Sequence, residues 1–298
     1  MHLFLNRLEE ASATATDTQV RKFDSPTLRD TLYKIAFLQN DAAGMAKQVE
    51  WAVSKPGVED RLLAGEARTA AYSGRLKEAR EFSRRAKNSA ERAEEREVAA
   101  THEAEAALRE ALFGNSAEAR LRATAAMGLS AGQDMQFTAA LAFAGEAVRA
   151  QKLTDDLGKR FPENTIVHLN YLPTIRAQLA LSRNDNSTAI EVLQAAAAYE
   201  LGSLGGLYPV YVRGEAYLAA HQGTEAAAEF QKILDHRGVV LNSPIGALAH
   251  LQLARAYAMR GDAAKARAAY QDFLTLWKDA DPDIPILKQA KGEYAKLQ

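Results

Sequence analysis

The sequence predicts an all-α fold, an α–α superhelix of about seven helix-pair repeats with a capping helix at the C-terminal end. Three observations lead there. Alanine supplies about one residue in five while aromatics make up 7% of the 298 residues, a composition suited to closely approaching helices rather than to sheet. A helix–turn–helix pattern recurs at constant internal phase: Leu253, Ala254 and Tyr257, then Gly261, then Ala266, Tyr270 and Phe273, with Gly214, Tyr217, Ala226, Phe230 and Ile233 as the preceding copy. In both copies the first Tyr and the later aromatic lie 13 residues apart, and apolar positions recur at three and four, as on one face of a helix.

The third observation is the register itself. A small residue of the second helix falls at Ala11, Met45, Ala79, Ala119, Ala150, Ala189, Ala226 and Ala266, at intervals of 34, 34, 40, 31, 39, 37 and 40 by subtraction. Two helices approach closely only where a side chain is cut back, so this position marks their crossing. Five residues earlier stand Asn6, Asn40, Gly74, Gly114, Gly145, Asn184 and Gly261, types that tolerate the left-handed conformation ending a helix; in the Ala226 copy His221 holds the place, with Gly223 after it.

Taken in order, residues 1–24 form a partial first repeat, whose second helix is whole and whose first is a remnant. An array that opens mid-repeat exposes an unpaired apolar face, so the chain reads as a piece of something longer or a gene model begun at an internal Met. Residues 25–200 carry successive repeats. Asp24-Ser25-Pro26 is a cap followed by proline at the first helical position, Pro56 and Phe161-Pro162 supply late prolines, and residues 89–113 read as one long charged-and-alanine helix. Residues 165–182 read as another, kinked by Pro173. Residues 201–207 are a Gly-rich inter-repeat loop leading to Pro209, residues 208–280 hold the two best-matching repeats, with Asn242-Ser243-Pro244 as a second cap, and residues 281–298 form the capping helix. Tyr217, Phe230, Tyr257 and Tyr270 are expected in the core.

A period near 34 residues built of helix pairs resembles the tetratricopeptide repeat along almost the whole chain. The run from Tyr208 to Tyr217 (Tyr-Pro-Val-Tyr-Val-Arg-Gly-Glu-Ala-Tyr), the run from Ala227 to Gly238, the ending from Tyr270 to Pro285 and the stretch from Asn170 to Gln178 are more distinctive. Together they resemble the C-terminal repeat region of large bacterial serine/threonine protein kinases of the acidobacterial kind. That resemblance implies a non-catalytic tail, bacterial and cytoplasmic, from a parent protein that often carries a membrane span. The kinase machinery is not in this chain: His236-Arg237 is followed by Gly238 rather than Asp, and no Gly-rich phosphate loop, paired Lys or Asp-Phe-Gly is present.

The remaining chemistry is sparse. With 37 Lys plus Arg against 38 Asp plus Glu, no basic excess points to nucleic acid. Zero Cys excludes disulfides, thiolate metal sites and cysteine nucleophiles. No apolar run reaches the roughly 18 residues of a membrane span, and the N-terminus has no signal-peptide core, so the chain as given reads as soluble. Gly202 to Gly206 lacks the Gly-Lys-Ser/Thr of a phosphate loop and reads as a connection; His102-Glu103 lacks a second His four residues on; residues 89–97 read as a solvated helix face. We therefore expect no catalytic, cofactor-binding or metal residues and no cofactor.

What is left is the concave groove, lined in such arrays by the first helix of each pair. Phase counting places Lys34, Arg61, Arg68, Tyr72, Tyr171, Gln178, Tyr208, Tyr211, Glu215 and Arg255 inward. Arg and Tyr are frequent binding anchors, and Tyr171, Tyr208 and Tyr211 fall in adjacent repeats, giving either an aromatic patch or simple packing between helices. The expected function is a protein-interaction or sensory scaffold with a protein or peptide partner in the groove, as the repeat tail of a kinase-like protein. The alternatives are a free-standing adaptor or assembly factor, and a small-ligand receptor or enzyme using the groove. Nucleic acid and direct membrane contact are not expected, and homo-oligomerisation stays open.

Overall fold

The computed structural model describes residues 2–132, 146–202 and 206–297, and among them every regular element is helical. A single turn at His2–Leu5 precedes α1 (Leu8–Val20), α2 (Pro26–Leu38), α3 (Ala42–Ala52), α4 (Glu59–Tyr72), α5 (Leu76–Arg92), α6 (Arg96–Leu112) and α7 (Ser116–Leu129). Then come α8 (Ala147–Arg160), α9 (Leu172–Ser182), α10 (Asn186–Val192), α11 (Tyr208–Ala219), α12 (Gly223–Asp235), the one-turn α13 (Arg237–Val240), α14 (Pro244–Met259), α15 (Ala263–Leu276) and α16 (Pro285–Ala295). The pairs α2/α3, α4/α5, α6/α7, α9/α10, α11/α12 and α14/α15 stack in sequence as an all-α superhelix.

The register is visible in the backbone. Asn6, Asn40, Gly74, Gly114, Asn184, His221 and Gly261 all adopt positive φ, between 55° and 89°; Gly145 lies outside the described residues. At the crossing positions Ala79, Ala119, Ala150, Ala189, Ala226 and Ala266 are wholly buried and Ala11 nearly so. Met45 is half-buried against α2 and α4. Phe230 and Tyr270 are core, whereas Tyr217 and Tyr257 sit half-buried at its edge, because their rings lie on the outer side of the last turns of α11 and α14.

Two local expectations meet different fates. Residues 89–113 are not one helix: Glu94 takes φ 61°, and the Glu95 N–H bonds the Ala90 carbonyl, so α5 ends in a left-handed cap before α6 begins. The charged pattern continues across the break, which is why sequence periodicity does not show it. The 165–182 helix does form, and Pro173 does distort it: the preceding turn, Val167–Tyr171, widens to a π-turn, with the Leu172 N–H reaching the Val167 carbonyl. Ser25 caps α2 by accepting from the Leu28 N–H.

The larger difference is that the array closes on itself. One continuous core joins Ala70, Ala71, Leu76 and Phe113 from α4 to α6 with Tyr211, Leu248, Phe273 and Ile286 from the C-terminal helices. A helix leaves its last carbonyls without intrahelical donors, and here the C-terminal segment supplies them. The Trp277 indole donates to the Tyr72 carbonyl at 3.0 Å, the Asp281 N–H to the Gly74 carbonyl at 3.1 Å, and the Ile286 N–H to the Phe113 carbonyl at 3.2 Å. The Asp281 carboxylate accepts from the Lys77 N–H at 2.8 Å, and the Trp277 and Phe113 rings meet edge-on, centroids 5.0 Å apart. Ser243 stands at the cap position of α14 before Pro244 but makes no side-chain capping bond, and Asn242 beside it donates to the Gly65 carbonyl and the Thr69 hydroxyl of α4 at 3.1 and 3.0 Å. At the chain start the Asn6 amide bonds the Asp235 carbonyl and the Gly238 N–H at 2.8 and 2.7 Å. The expected capping helix, α16, therefore covers α14 and α15 while also abutting the α6–α7 turn.

Candidate functional site: the inner wall of the closed array

The first helices of successive pairs carry a polar band. Arg68 on α4 forms a bidentate pair with Glu105 on α6 at 2.8 and 3.2 Å, each side chain retaining 29% of its exposure. The Glu105 carboxylate holds the Arg68 guanidinium firmly charged; in return Arg68 outweighs the burial that opposes ionisation of Glu105 and keeps its pKa below the usual range. Toward the start of the same two helices, buried Asp60 and His102 lie 3.0 Å apart. Arg109, almost fully buried, donates to the Ser83 hydroxyl at 2.5 Å, and burial pulls its pKa down to about 10 despite Glu105 and Glu110 nearby. Tyr208, at the start of α11, faces this group: burial raises its phenol, and it bonds Ser243.

A second cluster lies between α11, α14 and α16. Tyr211 is 2% exposed, packed edge-on against Phe230 with centroids 5.8 Å apart, and its hydroxyl accepts from Gln252 at 3.1 Å. Glu215 is reached by the same amide at 3.4 Å, and burial pushes its carboxyl up to about 7 even though Arg255 opposes the shift. Arg255 is itself engaged, bidentate to Glu293 of α16 at 2.9 Å from both nitrogens, and Tyr270 donates to the same carboxylate at 2.9 Å.

The other inward candidates disperse. Tyr171 is buried at 8% exposure in a core with Leu108, Leu153 and Ile175, against which half-buried Tyr208 also packs, whereas Tyr211 belongs to the larger core. Close helix contact has turned two of the three tyrosines into packing residues. Gln178 is half-buried, its side-chain oxygen enclosed without a hydrogen-bond partner among the described residues. Lys34 pairs within α2 to Asp30 at 2.6 Å, and Arg61 is exposed. Tyr72 lies away from the band, at the junction between the two ends of the array, edge-on to Phe37 at 5.1 Å.

Sequence reasoning missed Glu105, Gln252 and Glu293, the partners that neutralise the predicted arginines and tyrosines. Glu105 and Gln252 sit on first helices of pairs and Glu293 on the capping helix, but pairing across repeats has no sequence signature. It also missed a buried network in which Arg213 bonds Glu200 at 2.8 Å and Glu229 at 2.5 Å, while Lys232 bonds Glu200 at 2.9 Å, fastening the connection after α10 onto α11 and α12. No group of three His, Asp or Glu suited to a metal ion occurs among the described residues, and no helix among them is long and apolar enough to cross a membrane.

The architecture defines a class, an α–α superhelix of tetratricopeptide type. Among solved structures, the chain is similar to one in the APC/C hetero-tetramer Cut9–Hcn1, with a TM-score of 0.50 and 13% identity over 99% of this chain and 52% of that one. It is also similar to yeast Tom70 (TM-score 0.46, 16% identity, 98% and 59% of the two chains) and to the TPR domain of P58(IPK) (0.31, 10%, 99% and 93%). The chain thus spans about half the length of the first of these, and at such identity the likeness concerns the fold. No protein-family model and no curated protein matches the sequence.

Proposed function

We propose that this chain is a non-catalytic protein-interaction scaffold that holds a protein or peptide segment against the polar inner wall of its helix stack. The observation that supports it is the solvent-reachable state of that wall. Arg68 and Glu105 keep 29% of their side-chain exposure, and Arg255 and Glu293 keep 23% and 35%, so the pairs can exchange an internal partner for an external one. The fold is shared with a protein that assembles as the Cut9–Hcn1 hetero-tetramer. The test is cross-linking and capture from the native cell with the wild-type chain and with a variant carrying Arg68→Gln, Glu105→Gln and Arg255→Gln. These neutral substitutions spare the tyrosine core, and circular dichroism checks the fold. A partner cross-linked to α4, α6 or α14 and lost by the folded variant supports the reading; undiminished capture moves the interface elsewhere.

The runs at residues 170–178, 208–217, 227–238 and 270–285 support a narrower form of this reading: the scaffold is the repeat tail of a bacterial serine/threonine kinase-like protein and works in the cytoplasm. An in-frame kinase domain upstream of the Met1 codon would support it. Transcription and translation beginning at Met1 would favour a free-standing adaptor.

A further inference from the structure

A cavity of about 380 Å³ opens where the two ends of the array meet. Its walls come from helices far apart in the chain: Phe37 and Tyr72 from α2 and α4 on one side, Ile233, Val240, Gly246 and Leu276 from α12 to α15 on the other. The floor is apolar, and it is built for close fit. A side chain on Gly246 would place its Cβ 3.0 Å from the Tyr72 ring, so the glycine is what lets that ring come so near the start of α14.

Three groups with unspent hydrogen-bonding capacity converge on this apolar space. The exposed Arg237 guanidinium makes no ion pair among the described residues and reaches only the Leu38 carbonyl, at 3.5 Å. The Tyr72 hydroxyl and the His250 ring have no hydrogen-bond partner among them either, and the positive field of Arg237 acts on both, lowering each against or alongside the effect of burial. No Asp or Glu lines the cavity; the carboxylate acting on His250 is Asp272, from outside the lining. An apolar pocket of this size with a few convergent polar groups is the usual form of a small-molecule site, and a guanidinium without an ion pair among the described residues, in a cavity with no acid in its lining, selects an anion although Asp235 stands on its other side.

We propose that this junction cavity binds a small amphipathic carboxylate, its apolar body lying against Phe37, Ile233 and Leu276 and its carboxylate held by Arg237 and the Tyr72 hydroxyl. The inference stands apart from the inner-wall reading, since the cavity shares no residue with the Arg68, Glu105 or Arg255 pairs. It is tested on the full chain by calorimetric titration of octanoate, with octan-1-ol as the body without the charge and octylammonium as the opposite charge. We expect octanoate to bind about tenfold more tightly than octan-1-ol and octylammonium not to bind. Arg237→Gln, an exposed change that leaves the core alone, should weaken octanoate about tenfold and leave octan-1-ol unaltered. Tyr72→Phe should weaken octanoate less, by a few fold. Equal affinity for octanoate and octan-1-ol, indifference to Arg237→Gln, or no heat with octanoate at about 10 mM would each overturn the proposal.

Discussion

Glu215 is the residue whose environment has the clearest measurable signature. Burial lifts its carboxyl to about 7, so between the ordinary carboxylate range and that value the folded chain binds a proton that the unfolded chain has released. Stability then falls as pH rises through this window, the reverse of a salt-bridged carboxylate. Glu215→Gln keeps the hydrogen bond from Gln252 and removes the titration. It should leave stability at pH 4 nearly unchanged and raise it at pH 8 by about 1–2 kcal/mol, discounting for partial exposure. Parallel pH profiles for the two proteins in urea melts would refute this. Asn242 gives a second test. Its buried amide serves the Gly65 carbonyl and the Thr69 hydroxyl, and Thr69 also accepts from fully buried Tyr33 at 2.8 Å. Asn242→Ala removes two bonds across the junction, one to a carbonyl that keeps its helical partner, and should cost about 1–3 kcal/mol, whereas Tyr33→Phe, which leaves Thr69 its Asn242 partner, should cost about 1 kcal/mol.

At the scale of the element, the helix ends decide most. Glu94 bears a side chain at φ 61° in the turn between α5 and α6, a conformation that suits glycine. Glu94→Gly should therefore stabilise the chain by roughly 0.5–1 kcal/mol, read from the denaturation midpoint at unchanged slope. The contrast between this turn and its neighbours explains what the sequence could disclose. Gly74, Gly114 and Gly261 announce helix ends because their residue type matches their backbone need, and Ala79, Ala226 and Ala266 announce crossings because only a methyl fits. Glu94 announces nothing, since a charged residue in a charged run looks like more helix. The same limit governs the site. The register places Arg68, Glu215 and Arg255 on the first helices of their pairs, but whether Tyr211 stands free or lies in the core depends on how far α11 settles onto α14, a tertiary distance with no local code. Pro173 was legible as a distortion because a missing N–H acts wherever it occurs in a helix.

For the molecule as a whole, the junction between its ends is the feature on which conformation turns. A Cβ at Gly74 would lie 2.5 Å from the Ala280 methyl and 2.8 Å from the Trp277 ring, at φ 73°. Gly74→Ala should thus act where the C-terminal segment docks, and Trp277→Ala should remove the Phe113 contact and the bond to Tyr72 together, costing about 3–5 kcal/mol. For both variants we expect small-angle scattering to give a larger radius of gyration with helical content retained, as an opened array would; an unaltered radius with Trp277→Ala would show that the inner helices alone hold the curvature. The closing contacts also set the order of assembly. Asn6 and Asp235 are 229 positions apart and Trp277 and Tyr72 are 205 apart, whereas a helix-pair stack ordinarily joins only neighbours and folds like beads added to a string. Long-range closure must await nearly the whole chain and carries the entropy of a large loop. Synthesis from the N-terminus would therefore pass through a stage in which the carbonyls at Tyr72 and Phe113 lack their C-terminal donors and the apolar flank of α4 lies bare, a nascent form with a surface that the finished protein no longer displays.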